Sequence, residues 1–282
     1  GLYKIKSELE NIWLNNSENA AGGLVDAPAL MANAYFGYDY TKGDFKPMQV
    51  GEKINSLKFH TDGGGIYKNV GGMFIWGDFT YTKDNIAGAK WNATLADPTR
   101  DMPFFVADEN VSKWKNQTYD LGFKAAFPRL INGHLIIGIS GTYQAAIAAK
   151  QLDPRPLTKV SDLNVMPSIV WEFNPSNSLG AVFHYTSYRE DGSAENINHL
   201  TDQKGWEMVA PGFFNDGVQA SDERYRKEDR MGCKPGLPVQ RHGKGPCILP
   251  LPLRQQRFTR NRVLPDLRQH LRGSELHHRR QV

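Results

Sequence analysis

From residue 29 to about residue 188, apolar side chains recur at every second position. That period admits a strand whose two faces meet different surroundings and fits a helix poorly. The first run places Leu30, Ala32, Ala34, Phe36, Tyr38 and Tyr40 on one face, and a weaker run follows around Leu57 and Phe59. Further runs share a face from Met73 to Tyr81, Tyr119 to Phe127, Leu135 to Ile147, Val165 to Phe173 and Leu179 to Ser187. Leaving out the weak run, the apolar faces hold 33 positions and no charge, in a chain that is 23% charged. The opposite faces carry Asp39, Asp78, Asp120, Lys124 and Glu172, with His184 as a further titratable group. Pro167 lacks a ladder donor and is expected at a bulge or strand end.

Soluble antiparallel sheets alternate in the same way, so the period alone does not decide between a sandwich and a barrel. The connections between runs do discriminate. They read as long at 41–53, short around Thr61 to Val70, long at 83–113, short at Pro128 to Gly133, long at 148–162, short at Asn174 to Asn177 and long after Arg189. Tight turns on one side and extended loops on the other are the mark of an up-and-down transmembrane barrel. Ile131-Asn132-Gly133 and Asn174-Pro175-Ser176-Asn177 have the residue types that tight reversals use. Aromatics sort accordingly. Tyr40, Tyr81, Tyr119, Tyr143 and Tyr185 fall at the long-loop ends, and Phe127, Trp171 and Phe173 at the short-turn ends, as two interfacial girdles would.

Mean hydropathy is −0.53, and no stretch approaches the 18 or more apolar residues of a membrane helix. A barrel is compatible with that value, because only one face of each strand is apolar. Charge divides sharply along the chain. Residues 226–282 hold 14 of the 34 Lys and Arg and 4 of the 30 Asp and Glu, and Phe258 is their only aromatic. The expected organisation is an N-terminal segment 1–28, a partial barrel 29–225 of about seven or eight strands, and a basic, Pro- and Arg-rich tail 226–282 that is frame-shifted or disordered. With the true ending lost, the barrel is expected to be incomplete. Nucleic-acid binding by that tail is the lesser reading. A zinc site from Cys233, Cys247, His277 and His278 is disfavoured because Cys-x13-Cys lacks close ligand spacing.

Glu10-Asn11-Ile12-Trp13-Leu14-Asn15-Asn16-Ser17-Glu18-Asn19-Ala20-Ala21-Gly22, leading into the strand at Ala29, resembles the start of uncharacterised outer-membrane barrel proteins of Bacteroidetes. More distantly, Asn19-Ala20-Ala21-Gly22 is similar to the Asn-Pro-Ala-Gly element of long-chain fatty-acid transporter barrels, with Ala where that element has Pro. The resemblance implies an outer-membrane barrel and carries no substrate with it.

No catalytic triad, P-loop or paired-cysteine motif stands in residues 1–225, so no catalytic, cofactor or metal residue is assigned and no enzyme activity is expected. Asp62-Gly63-Gly64-Gly65 lacks the lysine of a phosphate-binding loop and reads as a flexible turn. His60, His134 and His184 lie on separate strands and read as solvated or hydrogen-bonded groups. The expected function is an outer-membrane barrel in contact with lipid, a structural or surface protein or a pore for a small or apolar solute. Asp39, Asp78, Asp120, Lys124, Glu172 and His184 would line its lumen, four acids against one lysine, mildly favouring cations. The alternative is a soluble, secreted all-β binding module of carbohydrate-binding or adhesin type, with Trp91, Trp114 and Trp206 as stacking surfaces.

Overall fold

A computed structural model describes residues 18–26, 29–43, 51–93, 106–174, 177–195, 197–198, 200, 203–210, 213–219, 222–235 and 239–240. The fold is all-β and antiparallel. After a 3-10 turn at Ala20–Gly22 and the single helical turn α1 (Gly23–Asp26), the chain runs through β1 (Met31–Lys42), β2 (Lys53–Tyr67) and β3 (Met73–Ala89). Short β4 (Asn92–Ala93) and β5 (Val106–Asp108) precede β6 (Ser112–Ala126), β7 (Leu135–Lys150), β8 (Arg155–Asn174) and β9 (Asn177–Glu195). Then follow β10 (Lys204–Ala210), β11 (Phe213–Gln219), β12 (Asp222–Pro235) and β13 (Val239–Gln240).

The main sheet is a meander in the order β1-β2-β3-β6-β7-β8-β9-β12, with β13 continuing along the edge of β9 beyond β12. Among the described residues the sheet is open, with β1 paired only to β2 and β12 only to β9. A second sheet, β11-β10-β5-β4, is built from segments in the connections after β3 and after β9. Among the described residues no helix is long and apolar enough to cross a membrane, which leaves strands unaddressed.

All seven expected runs are strands, and their phases agree with one another through the ladder. Phe36 pairs with Phe59, Phe59 with Tyr81, Tyr81 with Tyr119, Tyr119 with Ala145, Ala145 with Ser161 and Ser161 with Arg189. One face of the sheet is therefore apolar from β1 to β9, and it points outward. Phe36 is 70% exposed, Phe123 48% and Ile169 50%. The buried side chains belong to the other phase, including Phe74, Ile136, Val170 and Val182. The core sits on the inner face, near the short-turn ends.

Four expectations change. Asp62-Gly63-Gly64-Gly65 is not a turn but the C-terminal part of β2, and the reversal lies at residues 68–72, where Gly71 and Gly72 take positive φ. The glycines suit a strand squeezed between neighbours: a Cβ at Gly63 would meet the Met31 carbonyl at 2.9 Å, and one at Gly64 would run into the Ile75 carbonyl. The long connection read at 148–162 shrinks to residues 151–154, because β7 and β8 keep pairing out to Ala149 and Leu157. Short and long connections therefore do not alternate strictly. Pro167 lies inside β8 rather than at an end, and Met166 and Pro167 drop out of the pairing with β9, where the missing N–H would have been needed. Finally, residue 226 falls within β12, whose pairing with β9 runs to Pro235 and sets Arg226 directly across from the fully buried Glu190.

Candidate functional site: the inner face and its N-terminal plug

The inner phase of the strands carries a polar ladder. His60 on β2 meets the Thr80 hydroxyl through Nδ1 (2.7 Å) and the Asp62 carboxylate through Nε2 (3.1 Å), with its ring 4.9 Å from that of Tyr35. Asp62 also accepts from the Asn33 amide at 3.3 Å. Farther along, Gln144 donates to Asp120 at 2.7 Å, Asn164 to Thr142 at 3.1 Å, and Thr186 to Asn164 at 2.6 Å. Hydrogen bonds thus link side chains of adjacent strands on the inner face from β1 to β3 and from β6 to β9. Gly122 lies across from Asp78, and a Cβ there would strike that carboxylate, so the absent side chain makes room for it.

Into the short-turn end of this face tucks the segment 18–26. Ala21 and Leu24 pack with Phe74 of β3, Ala126 of β6, Ile136 of β7 and Val170 of β8, an apolar cluster bridging four neighbouring strands. The segment's backbone is met by small polar groups. Ser140 donates to the Glu18 carbonyl at 2.9 Å, the Ala21 N–H donates to the Ser168 hydroxyl at 3.3 Å, and the Asn19 amide donates to the Ile169 carbonyl at 3.1 Å. Opposite Ser168 in the register is Gly138, where a Cβ would collide with the Ala21 amide. Asn19-Ala20-Ala21-Gly22 is therefore a buried plug, seated where β7 and β8 present Gly138, Ser140 and Ser168.

The predicted lumen residues all take the inner phase, but not as one group. His184 pairs with Glu18 of the plug at 3.1 Å. Lys124 lies in electrostatic reach of Asp78 and of Glu18 and Asp26 in the plug segment. Glu172 is bound by Arg129 at 2.7 Å, and the same guanidinium reaches the Leu24 carbonyl at 3.4 Å. Asp120 is in the ladder, whereas Asp39 stands on the exposed edge strand opposite Ser56. The simple count of four acids against one lysine misses Arg129, which neutralises Glu172, and omits Lys58, Asp62, Asp84, Lys150, Asp162 and Glu190, all in the inner phase. It also leaves out the seat made by Gly138 and Ser140, consecutive small residues in the inner phase of β7, and by Ser168 between Met166 and Val170 in that of β8. The girdle aromatics take the outer phase. Tyr81 and Tyr119 are cross-strand neighbours with ring centroids 5.0 Å apart.

At the long-loop end, Lys150 at the close of β7 and Asp108 of β5 form a buried ion pair at 2.6 Å. Asn110 bridges the Asp153 carbonyl and the Gln203 amide oxygen. Asp153 accepts from the Asn198 N–H and from Arg155, and these bonds hold its carboxyl below the usual aspartate range. Trp91 and Trp206 meet edge to face, 5.8 Å apart, in this layer, while Trp114 lies on the inner phase of β6. The three tryptophans do not form one platform.

Substituting leucine at Gly138 should drive the plug from its seat, since the obstructing atoms are backbone. The expected result is rapid amide exchange at Ala21 with the sheet intact, and a stability loss of about 1–3 kcal/mol, the usual cost of overpacking. Exchange at Ala21 as slow as in the parent would show that the plug is not held there.

No curated protein and no solved structure is significantly similar to the chain. Residues 23–241, more than half of the chain, match the family described as a family of unknown function, DUF6850, and the match covers the plug's α1 turn and every strand of the main sheet. The chain belongs to the DUF6850 family.

Proposed function

We propose that this protein is an outer-membrane β-barrel, its outward face covered by lipid and its polar interior plugged at the short-turn end. The observation that carries the reading is the slant of the uncharged outer band relative to the strand register. On β1 and β2 the outer phase stays uncharged up to Lys42 and Lys53, six residues above the Phe36 row, on β8 up to Lys159, two above it, and on β9 the charge comes at Arg189, in the row itself. Between them the height is uneven, two at Lys83 and four at Lys115. The tyrosine line slants in the same sense: Tyr40 lies four residues above that row and Tyr185 four below. Averaged from β1 to β9 the drift is about one residue per strand, which at 3.3 Å per residue and 4.8 Å between strands is a tilt of about 35–40°. Strands crossing a bilayer in a barrel tilt by about that angle, and a flat hydrocarbon slab would impose such a slant.

The interior argues for a barrel larger than the sheet described. Eight strands closed on themselves leave room for side chains or one small ligand, and this inner face already seats the backbone of residues 18–26. With the plug in place the protein serves as a structural or surface barrel or as a closed pore, and passage of a small solute requires the plug to move.

Detergent dependence tests the reading. The full chain is expected to be monodisperse in detergent micelles and to aggregate on detergent removal. A monodisperse, folded species without detergent would favour the soluble binding module.

A further inference from the structure

Above the tyrosine line the outer face changes character. Lys42, Lys53, Lys83, Lys113, Lys115 and Lys159 all occupy the outer phase of their strands at the long-loop end, and Arg189 follows on β9. Among the described residues these six lysines form no ion pair. Acids of β1 to β8 take the inner phase, leaving Asp191 and Glu195 of β9 as the acids at outer-phase positions. The strands thus segregate charge by height as well as by face. Within this belt lies a cavity of about 310 Å³, walled by Ile86, Ala87 and Trp114 as well as by Asn55, Asn85, Lys113, Lys115 and Gln151. Its lining is mainly apolar, so the groups that would meet an anion at this height are the lysine ammoniums of the belt themselves.

We infer that the belt binds the phosphate groups of anionic lipid headgroups at the long-loop interface. The inference rests on the membrane reading above, since a lipid headgroup lies at this height only if the apolar band below is in the bilayer. Lysines just outside the hydrocarbon meet headgroup phosphates as point charges, and the tyrosines beneath fix the depth. A nucleic acid would need its cations on a water-exposed surface and would gain nothing from the uncharged band beneath them.

The test uses the full chain in detergent micelles doped with equal amounts of diphosphoryl lipid A and its dephosphorylated counterpart, with retained lipid counted by native mass spectrometry. The parent should retain the phosphorylated lipid over the other by about tenfold at low salt, and less as salt rises and screening shortens. The combined variant Lys83→Gln, Lys113→Gln, Lys115→Gln and Lys159→Gln should keep its strand circular dichroism and lose the preference. Equal retention of both lipids by the parent would overturn the belt while leaving the membrane reading standing. Retention of neither, by a chain monodisperse without detergent, would remove both. A preference that survives in the variant, or that millimolar inorganic phosphate abolishes, would also overturn the inference.

Discussion

Replacing Phe123 by arginine should destabilise the folded protein in lipid or detergent by about 2–4 kcal/mol, the cost of a cation on a barrel's lipid face near the bilayer midplane. Phe123 lies midway down the outer band of β6, four residues below the Tyr119 row and four above Phe127, and is 48% exposed. The Phe123 ring lies over Gly141, its partner on β7, so the cost joins the loss of that contact to the effect of the surrounding medium. Thr142 on the inner phase of β7 is the control, because an arginine there joins the polar ladder and should change stability far less. Equilibrium urea titration of the refolded variants in vesicles reads both. In water the Phe123 substitution would cost little beyond the lost contact with Gly141, as changes at exposed surface usually do.

Asp108→Asn should cost more, about 3–5 kcal/mol, because it leaves a buried ammonium without its counter-charge. Lys150 is fully buried and Asp108 is 3% exposed, with 2.6 Å between Nζ and Oδ1. Solvent therefore cannot screen the loss, whereas an exposed pair would be worth at most about 1 kcal/mol. Asp108 also accepts from the Asn110 N–H at 3.0 Å, and Asn110 ties the layer to Asp153 and Gln203. The damage should thus show first as proteolysis in the long-loop layer. Removing both charges, as Asp108→Leu with Lys150→Met, should recover most of the loss, because the uncompensated charge is then gone. A double variant as unstable as Asp108→Asn would mean that geometry, rather than charge, holds the layer.

The strands were legible because a period of two survives whatever covers the faces, and Phe36, Phe123 and Ile169 kept the phase read from their neighbours alone. Positions where backbone packing decides were not legible. Gly63, Gly64 and Gly65 have turn chemistry in isolation, and only the closeness of Met31 and Ile75 makes them strand residues. The 151–154 reversal was hidden because Thr158 and Val160 are buried inward while Leu157 and Lys159 face out, a polar-apolar mixture that looks like loop. The change at residue 226 rests on charge and aromatic content, but a ladder needs neither, and β12 continues through Arg226, Lys227 and Arg230 by backbone pairing. Of the inner face, the identities of Asp78, Asp120 and Lys124 could be read. Their partners could not, since Glu18 and Asp26 approach from a segment more than 90 residues away in sequence from Lys124.

The central claim is that hydrocarbon covers the outer phase of the strands. A nitroxide scan along β8 from Val165 to Phe173, in Cys233→Ser and Cys247→Ser chains reconstituted in vesicles, tests it directly by relaxation with oxygen and with a water-soluble nickel chelate. Labels at Val165, Pro167, Ile169, Trp171 and Phe173 should be open to oxygen and shielded from nickel, alternating with low oxygen access at Met166, Ser168 and Val170. Nickel access at the odd-numbered positions, or equal oxygen access at both sets, would contradict the account.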